Sequence, residues 1–347
     1  MGEYLQREYE KVAYGDLNKT IAPYNKHSSH ILSNFFSNIF SITEKDEIHY
    51  RLSILGVKFS FPKPKYAKKR KENPFHYYKK NNIDITTVPP ATGEFRYFQL
   101  ATLAILLDFD KICKQNNIHY WLDFGTLIGA IRHKGFIPWD DDIDLGIFRE
   151  DYEKIMDIVN NNTINPDVYA DWNTDGIFIK IKHKKCKDLF LDLFPVDKYG
   201  EIISTEEQLN ETKKIHSIIT ELRKIRRYNK NYSYIRELIA KYRKEKVLIH
   251  SLPKDITKMQ YVWGLDFPHS WKNWFTNYDV YFPFKTIEFE GFEFPCMNKP
   301  DDYLRKVYGD YMAYPRKMRF GHNVFNNRSN KELQVIKELA ERCLKFQ

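Results

Sequence analysis

The stretch YWLDFGTLIGAIRHKGFIPWDDDIDLGIF, residues 120–148, decides how the rest of the chain is read. It holds a small-residue turn at Gly125 and Thr126, an apolar run to Gly129 and Arg132, and then Asp140, Asp141, Asp142 and Asp144 within five positions. Ile143, Leu145 and Ile147 alternate, so 142–148 is predicted to be a strand with Asp142 and Asp144 together on the opposite face, Cα atoms about 6.6 Å apart. Two carboxylates fixed side by side raise each other's pKa unless a cation sits between them. A divalent metal resolves this, and Mg²⁺ suits such a site because it takes carboxylate oxygens and leaves its other positions to water and substrate phosphate. The plainer reading is a solvated acidic turn, the default for a charge run. The apolar strand and the glycine turn upstream favour the metal.

Outward from this stretch, strand and helix patterns alternate. Residues 96–115 have helical apolar spacing that ends near Asn116 and Asn117, and 118–122 reads as a strand leading into the Gly125 turn. Downstream, Tyr152, Ile155, Met156 and Val159 mark a helix that covers the sheet. Residues 177–181 and 189–194 are further strands. The second, LFLDLF, carries Asp192 alone among apolar residues, where a carboxylate is costly unless paired or metal-bound. Ser204 and Glu207 suit a capping box for a helix burying Ile215, Ile218, Ile219 and Leu222, and a second helix is predicted over 234–248. The many basic residues from Arg223 to Lys246 read as a solvated face. The aromatic run beyond them, including Trp263, Trp271, Trp274, Phe275 and Tyr281, is expected to be core or pocket wall.

At 347 residues, 42% hydrophobic and 16% aromatic, the chain suits one large or two ordinary domains. Pro89, Pro90 and Gly93 place a boundary near residue 90, giving an N-terminal extension, 1–90, and a catalytic domain, 91–347. In the extension, residues 30–42 show a narrow apolar helix face fit to pack on the main domain or lie in a membrane interface. Residues 50–61 alternate like a hairpin around Gly56. Six basic residues between Lys63 and Lys71 read as a solvated linker or as a contact to anionic headgroups. Net charge is +9, which suits a polyanionic partner: nucleic acid, an anionic membrane surface or a phosphate-bearing substrate. Cys113, Cys186, Cys296 and Cys343 are scattered with no C-x-x-C pair, which predicts reduced thiols and a cytoplasmic setting. The N-terminus lacks a signal peptide's apolar core, and the longest aliphatic run, 100–107, is too short for a membrane span.

A Gly-Thr turn, paired acids on one strand and a third acid on a neighbour make the pattern of the nucleotidyltransferase superfamily. From Phe98 to His322 the chain resembles the LicD family, which includes bacterial phosphocholine transferases and fukutin-related sugar-modifying proteins. The resemblance starts in QLATLAILLDFDKICKQNNIHYWL, is strongest in FGTLIGAIRHKGFIPWDDDIDLGI, continues in DLFLDLFPVD and closes in PDDYLRKVYGDYMAYPRKMRFGH. It implies an α/β (α+β) fold, a nucleotidyltransferase-like mixed sheet flanked by helices, with a helical insertion and the N-terminal extension.

The resemblance also implies a reaction. A substituted phosphate, phosphocholine or a polyol phosphate, passes from a CDP-activated donor to a hydroxyl of a glycan or lipid-linked glycan, with release of CMP. Asp142, Asp144 and Asp192 would hold Mg²⁺, or Mn²⁺ in its place, and act in catalysis. Gly125, Thr126, Arg132, His133 and Lys134 would meet the substrate phosphate. Asp140 and Trp139 would support the site, with Arg319 and His322 as weaker candidates, and Asp141 should be the most replaceable acid. The short basic segment between Ile181 and Asp192 departs from many relatives, so acceptor contacts there do not transfer. The expected partners are the donor, the glycan and the anionic inner face of the plasma membrane, with no nucleic acid. Two rival readings carry the same acids: a true nucleotidyltransferase that moves a nucleoside monophosphate, and a non-catalytic scaffold binding glycan or membrane.

Overall fold

The computed structural model describes residues 40–44, 49–54, 57–62, 75–173, 177–202, 204–247, 252–266, 275–316, 318, 321 and 328–345. The chain divides into two units, Met1–Glu72 and Asn73–Gln347. In the first, β1 (Phe40–Glu44), β2 (His49–Ile54) and β3 (Val57–Pro62) form an antiparallel sheet, with Ile54 opposite Val57. The β2–β3 pair is the hairpin expected over 50–61. The helix expected over 30–42 lies outside the described residues except at 40–42, which belong to β1. There Phe40 and Ile42 alternate with Ser41 and Thr43, the period of a strand. The basic segment 63–71 also lies outside the described residues.

The second unit starts ahead of residue 90. Phe75, Ile85, Val88 and Ala91 are all buried, around α1 (His76–Lys80) and before α2 (Gly93–Gln115). There follow β4 (Tyr120–Leu122), α3 (Phe124–His133), β5 (Asp144–Phe148), α4 (Arg149–Asn160), β6 (Val168–Trp172), β7 (Ile179–His183) and β8 (Cys186–Gly200). Next come α5 (Thr205–Tyr228), α6 (Tyr232–Tyr242), β9 (Gln260–Trp263), β10 (Phe275–Asn277), α7 (Tyr278–Tyr281), β11 (Lys285–Phe289), β12 (Phe292–Cys296), α8 (Pro300–Tyr308) and α9 (Asn330–Leu344). The main sheet runs β10-β9-β8-β5-β4, with β7 also on β8 and β6 on β7. It is mixed, as expected: β8 is parallel to β5 and antiparallel to β7 and β9.

Apolar surface is buried on both faces of this sheet. On one face α2, α4 and α9 pack Leu103, Phe109, Ile155 and Leu339 against Ile143, Leu145, Ile147, Leu191 and Leu193. The other cluster joins Phe124, Phe194, Trp263, Phe275 and Tyr281 to the α5–α6 residues Ile215, Ile218, Ile219, Leu222, Ile235 and Ile239. Ser204 starts α5 by accepting from Glu207 N, as its spacing predicts. All four cysteines are free and buried. Among the described residues no helix is long and apolar enough to cross a membrane.

Candidate active site

Strand pairing gathers the acids. β5 runs parallel to β8 with Asp144 in register with Asp192. Because Ile143, Leu145 and Ile147 are sunk in the core, the period of two turns Asp144 to the opposite face. Carboxylate oxygens of Asp142, Asp144 and Asp192 lie within 4.8 Å of one another. Asp142 stands just before β5 rather than inside it, still two residues from Asp144. Asp140, Asp141 and Asp142 form a second group with oxygens within 4.8 Å. Asp141, expected from sequence to be the most replaceable of the four acids, is 1% exposed. The loop folds back where Asp140 N donates to Ile137 O (2.9 Å), and Asp141 is enclosed rather than solvated.

Burial, then Asp142, Asp192, Asp140 and Asp123, hold the Asp144 carboxyl well above the ordinary carboxylate range. Negative charge at this density in a partly enclosed place, presented entirely by oxygen ligands, fits a hard divalent cation.

Gly125 and Thr126 form the first turn of α3 rather than an open loop. Asp123 caps that helix. Its Oδ1 accepts from Phe124 N (2.7 Å) and from the Tyr303 hydroxyl (2.7 Å), and its Oδ2 from Trp121 Nε1 (3.1 Å). Burial pushes this carboxyl up to about 6, with the three hydrogen bonds opposing. Thr126 Oγ1 accepts from Asp144 N (2.8 Å), which pins the helix start to the acidic strand. A Cβ on Gly125 would stand 3.1 Å from Asp140 Oδ2 and 3.7 Å from Asp144 Oδ2, so the backbone of this turn abuts the acids.

The basic residues after α3 differ in their surroundings. Arg132 is buried; its Nη1 donates to Tyr311 O (2.6 Å), its Nε to His133 Nε2 (3.0 Å), and its guanidinium lies 5.8 Å from the centre of the Trp139 ring. Any contact with a substrate phosphate competes with these. Burial lowers the Arg132 pKa to about 10, while burial and then Arg132 push His133 down to about 3, so His133 is neutral at pH 7. Lys134 ends the helix in the left-handed region (φ 57°) with its side chain exposed. Trp139 is buried between Phe75 and Tyr314. Arg319 and His322 lie outside the described residues.

Several neighbours of the acids carry no clear signal in the sequence. Gln99 Nε2 donates to Asp140 O (2.7 Å). Arg96 Nη1 donates to Glu290 Oε1 (2.9 Å), which also accepts from Phe136 N (2.9 Å), so the loop before the acids is held from α2 and the β11–β12 turn. Tyr308 ends α8; burial and then Asp144, Asp123, Asp140 and Asp142 push its phenol up. The residue as a whole is 39% exposed. Lys180 Nζ lies 2.8 Å from Asp192 Oδ1. Asp123 carried the same signal as Asp192, a lone acid in an apolar run. The Lys180 contact depends on strand register, which spacing does not reveal.

Residues 117–234 match the family described as LicD/FKTN/FKRP, nucleotidyltransferase domain. The lipopolysaccharide cholinephosphotransferase LicD of Haemophilus influenzae is 29% identical over 252 residues, covering 62% of this chain and 91% of that protein. Human ribitol 5-phosphate transferase FKRP is 34% identical over 83 residues, 22% of this chain and 17% of its own length. Mouse ribitol-5-phosphate transferase FKTN is 32% identical over 106 residues, 30% of this chain and 19% of its own. Over residues 117–234 the chain thus carries the nucleotidyltransferase domain of the LicD/FKTN/FKRP family.

Proposed function

We propose that the protein transfers a substituted phosphate, phosphocholine or a polyol phosphate, from a CDP-activated donor to a hydroxyl of a cell-surface glycan and releases CMP. The observation that carries this reading is the convergence of Asp142, Asp144 and Asp192 beside the first turn of α3. The relatives named for cholinephosphate and ribitol phosphate transfer support the kind of group moved.

In this reaction the acceptor oxygen bonds to the transferred phosphorus, its hydroxyl proton passing to solvent, as the bond to CMP breaks and charge develops on the leaving CMP. Mg²⁺, or Mn²⁺ in its place, would supply neutralisation of that charge at the phosphate oxygens. Asp142, Asp144 and Asp192 would hold the ion and would then all be ionised. The backbone N–H groups at Gly125 and Thr126, at the positive end of α3, orient a donor phosphate. Thr126 keeps that helix end fixed to Asp144, and Arg132 and Trp139 brace the loop beneath. Lys134, exposed at the far end of α3, adds positive charge for a substrate phosphate. The buried free thiols suit a reducing compartment, so we place the reaction at the cytoplasmic side of the membrane.

The test is CMP release by the purified protein with Mg²⁺ and a panel of CDP-choline, CDP-ribitol and CDP-glycerol, each with a glycan acceptor. Release from one donor, abolished by Asp142→Asn and Asp144→Asn, is the expected result. Pyrophosphate release from a nucleoside triphosphate instead would make the protein a true nucleotidyltransferase. Glycan binding without turnover on any donor would make it a scaffold.

A further inference from the structure

Lys180 sits in line with the acids. β5 sets Asp144 opposite Asp192, and β7 sets Lys180 opposite Asp192, so the three form one row across adjacent strands. Cross-strand partners in a row share a face of the sheet. The Lys180 ammonium lies 2.8 Å from Asp192 Oδ1, with side chains 17% and 12% exposed. It also stands 3.4 Å from the centre of the Phe190 ring and 5.8 Å from that of Phe178. Ring and carboxylate together compensate the loss of water around the charge. Lys182, two residues along the same strand, turns elsewhere, to Asp171 (2.9 Å) and Trp172 O (2.7 Å).

The three acids thus crowd negative charge on one face, and Asp192 meets its share with an ammonium. A divalent ion held by all three acids would share the Asp192 carboxylate with Lys180, whose ammonium lies at its Oδ1. Two cations on one carboxylate group repel each other strongly at such distances. Lysine can yield, because its ammonium is a point charge on a flexible four-carbon stem. The nearest new anion for it is the phosphate brought to the same acids.

We propose that Lys180 is an exchangeable counter-ion. It neutralises Asp192 while no divalent ion is bound, gives Asp192 up when the ion enters, and then contacts a non-bridging oxygen of the donor's transferred phosphate. This rests on the reading above that Asp142, Asp144 and Asp192 hold the ion. No covalent step is involved.

Calorimetric titration of the full chain with Mn²⁺ alone, then with CDP at saturating Mn²⁺, tests it, since CDP carries both donor phosphates. Lys180→Met should bind Mn²⁺ about tenfold more tightly than the natural protein and CDP about tenfold more weakly, the worth of one charge-assisted hydrogen bond. Lys180→Arg, which keeps the pair and holds a carboxylate better, should bind Mn²⁺ more weakly than the natural protein and remains decisive if Lys180→Met does not fold. Lys182→Met should leave Mn²⁺ affinity unchanged. Equal or weaker Mn²⁺ binding by Lys180→Met, equal or tighter binding by Lys180→Arg, or tightening by Lys182→Met equal to that of Lys180→Met would overturn the exchange. Unchanged CDP affinity would overturn the phosphate contact. If neither the natural protein nor Lys180→Met binds Mn²⁺, the metal reading itself fails, which is distinct from equal binding by both.

Discussion

Asp123 and Asp144 are both enclosed acids pushed above their ordinary range, but their neighbours differ. Asp123 has three donors and stands at about 6, whereas Asp144 faces Asp142, Asp192 and Asp140 as well as Asp123. For Asp123 the folded value exceeds the unfolded one of about 3.9. Between pH 4 and 6 the folded state therefore holds a proton that the unfolded state has lost, and its contribution to stability falls as pH rises. Asp123→Asn does not titrate, so the stability difference should move in the variant's favour by about 2–3 kcal/mol between pH 4 and pH 7. Urea unfolding at both pH values measures this, and a pH-independent difference would contradict it. Asp144→Asn removes the acid whose ionisation is most opposed. It should raise the melting temperature of the metal-free protein at pH 7 while lowering turnover by more than about 100-fold.

Elements bring these residues together, and two glycine and glutamate positions show how tightly. Gly146 of β5 lies opposite Trp121 of β4, and an added Cβ would stand 2.2 Å from the indole ring. Gly146→Ala must displace that ring or shift the strand, at a cost of about 1–3 kcal/mol in denaturant unfolding. Glu290 receives Arg96 and Phe136 N while its own N–H reaches Lys134 O (2.8 Å). Glu290→Gln leaves Arg96 without its counter-charge and should destabilise by about 3 kcal/mol. Both costs apply with or without a bound ion, so they separate scaffold from chemistry.

The same elements show what spacing can and cannot reveal. β5 is legible because Ile143, Leu145 and Ile147 alternate, and α2 because helical apolar spacing runs from 96 to 115, within the observed Gly93–Gln115. α3 read as a turn because Gly125 and Thr126 are poor helix formers; the competing signal was Asp123 as a cap before an apolar run. β6 escaped notice because only Val168 and Ala170 of its five residues are buried. The pairing of Lys180 with Asp192 depends on the β7–β8 register, which shifts at the Lys182–His183 irregularity and leaves no trace in hydrophobic pattern.

Across the whole molecule, the C-terminal PDDYLRKVYGDYM block acts at a distance. The Tyr303 hydroxyl reaches Asp123 across 180 residues, and Tyr311 O receives Arg132 across 179. The resemblance in that block is thus accounted for by support of α3 as well as by Tyr308 at the acids. Tyr303→Phe should cost about 1–3 kcal/mol, because a buried carboxylate loses a donor. Ion binding should act on the molecule as a unit. Mn²⁺ at 100 times its dissociation constant stabilises the folded chain by about 2.7 kcal/mol, and Asp144→Asn should lose most of that shift.

The proposed transfer requires that Asp142, Asp144 and Asp192 hold the ion. Anomalous diffraction from crystals soaked in Mn²⁺ tests it most directly. A peak is expected among those three carboxylates, with the Lys180 ammonium withdrawn from Asp192. A peak confined to Asp140 and Asp141, or no peak in a crystal of protein that turns over with Mn²⁺, would contradict it.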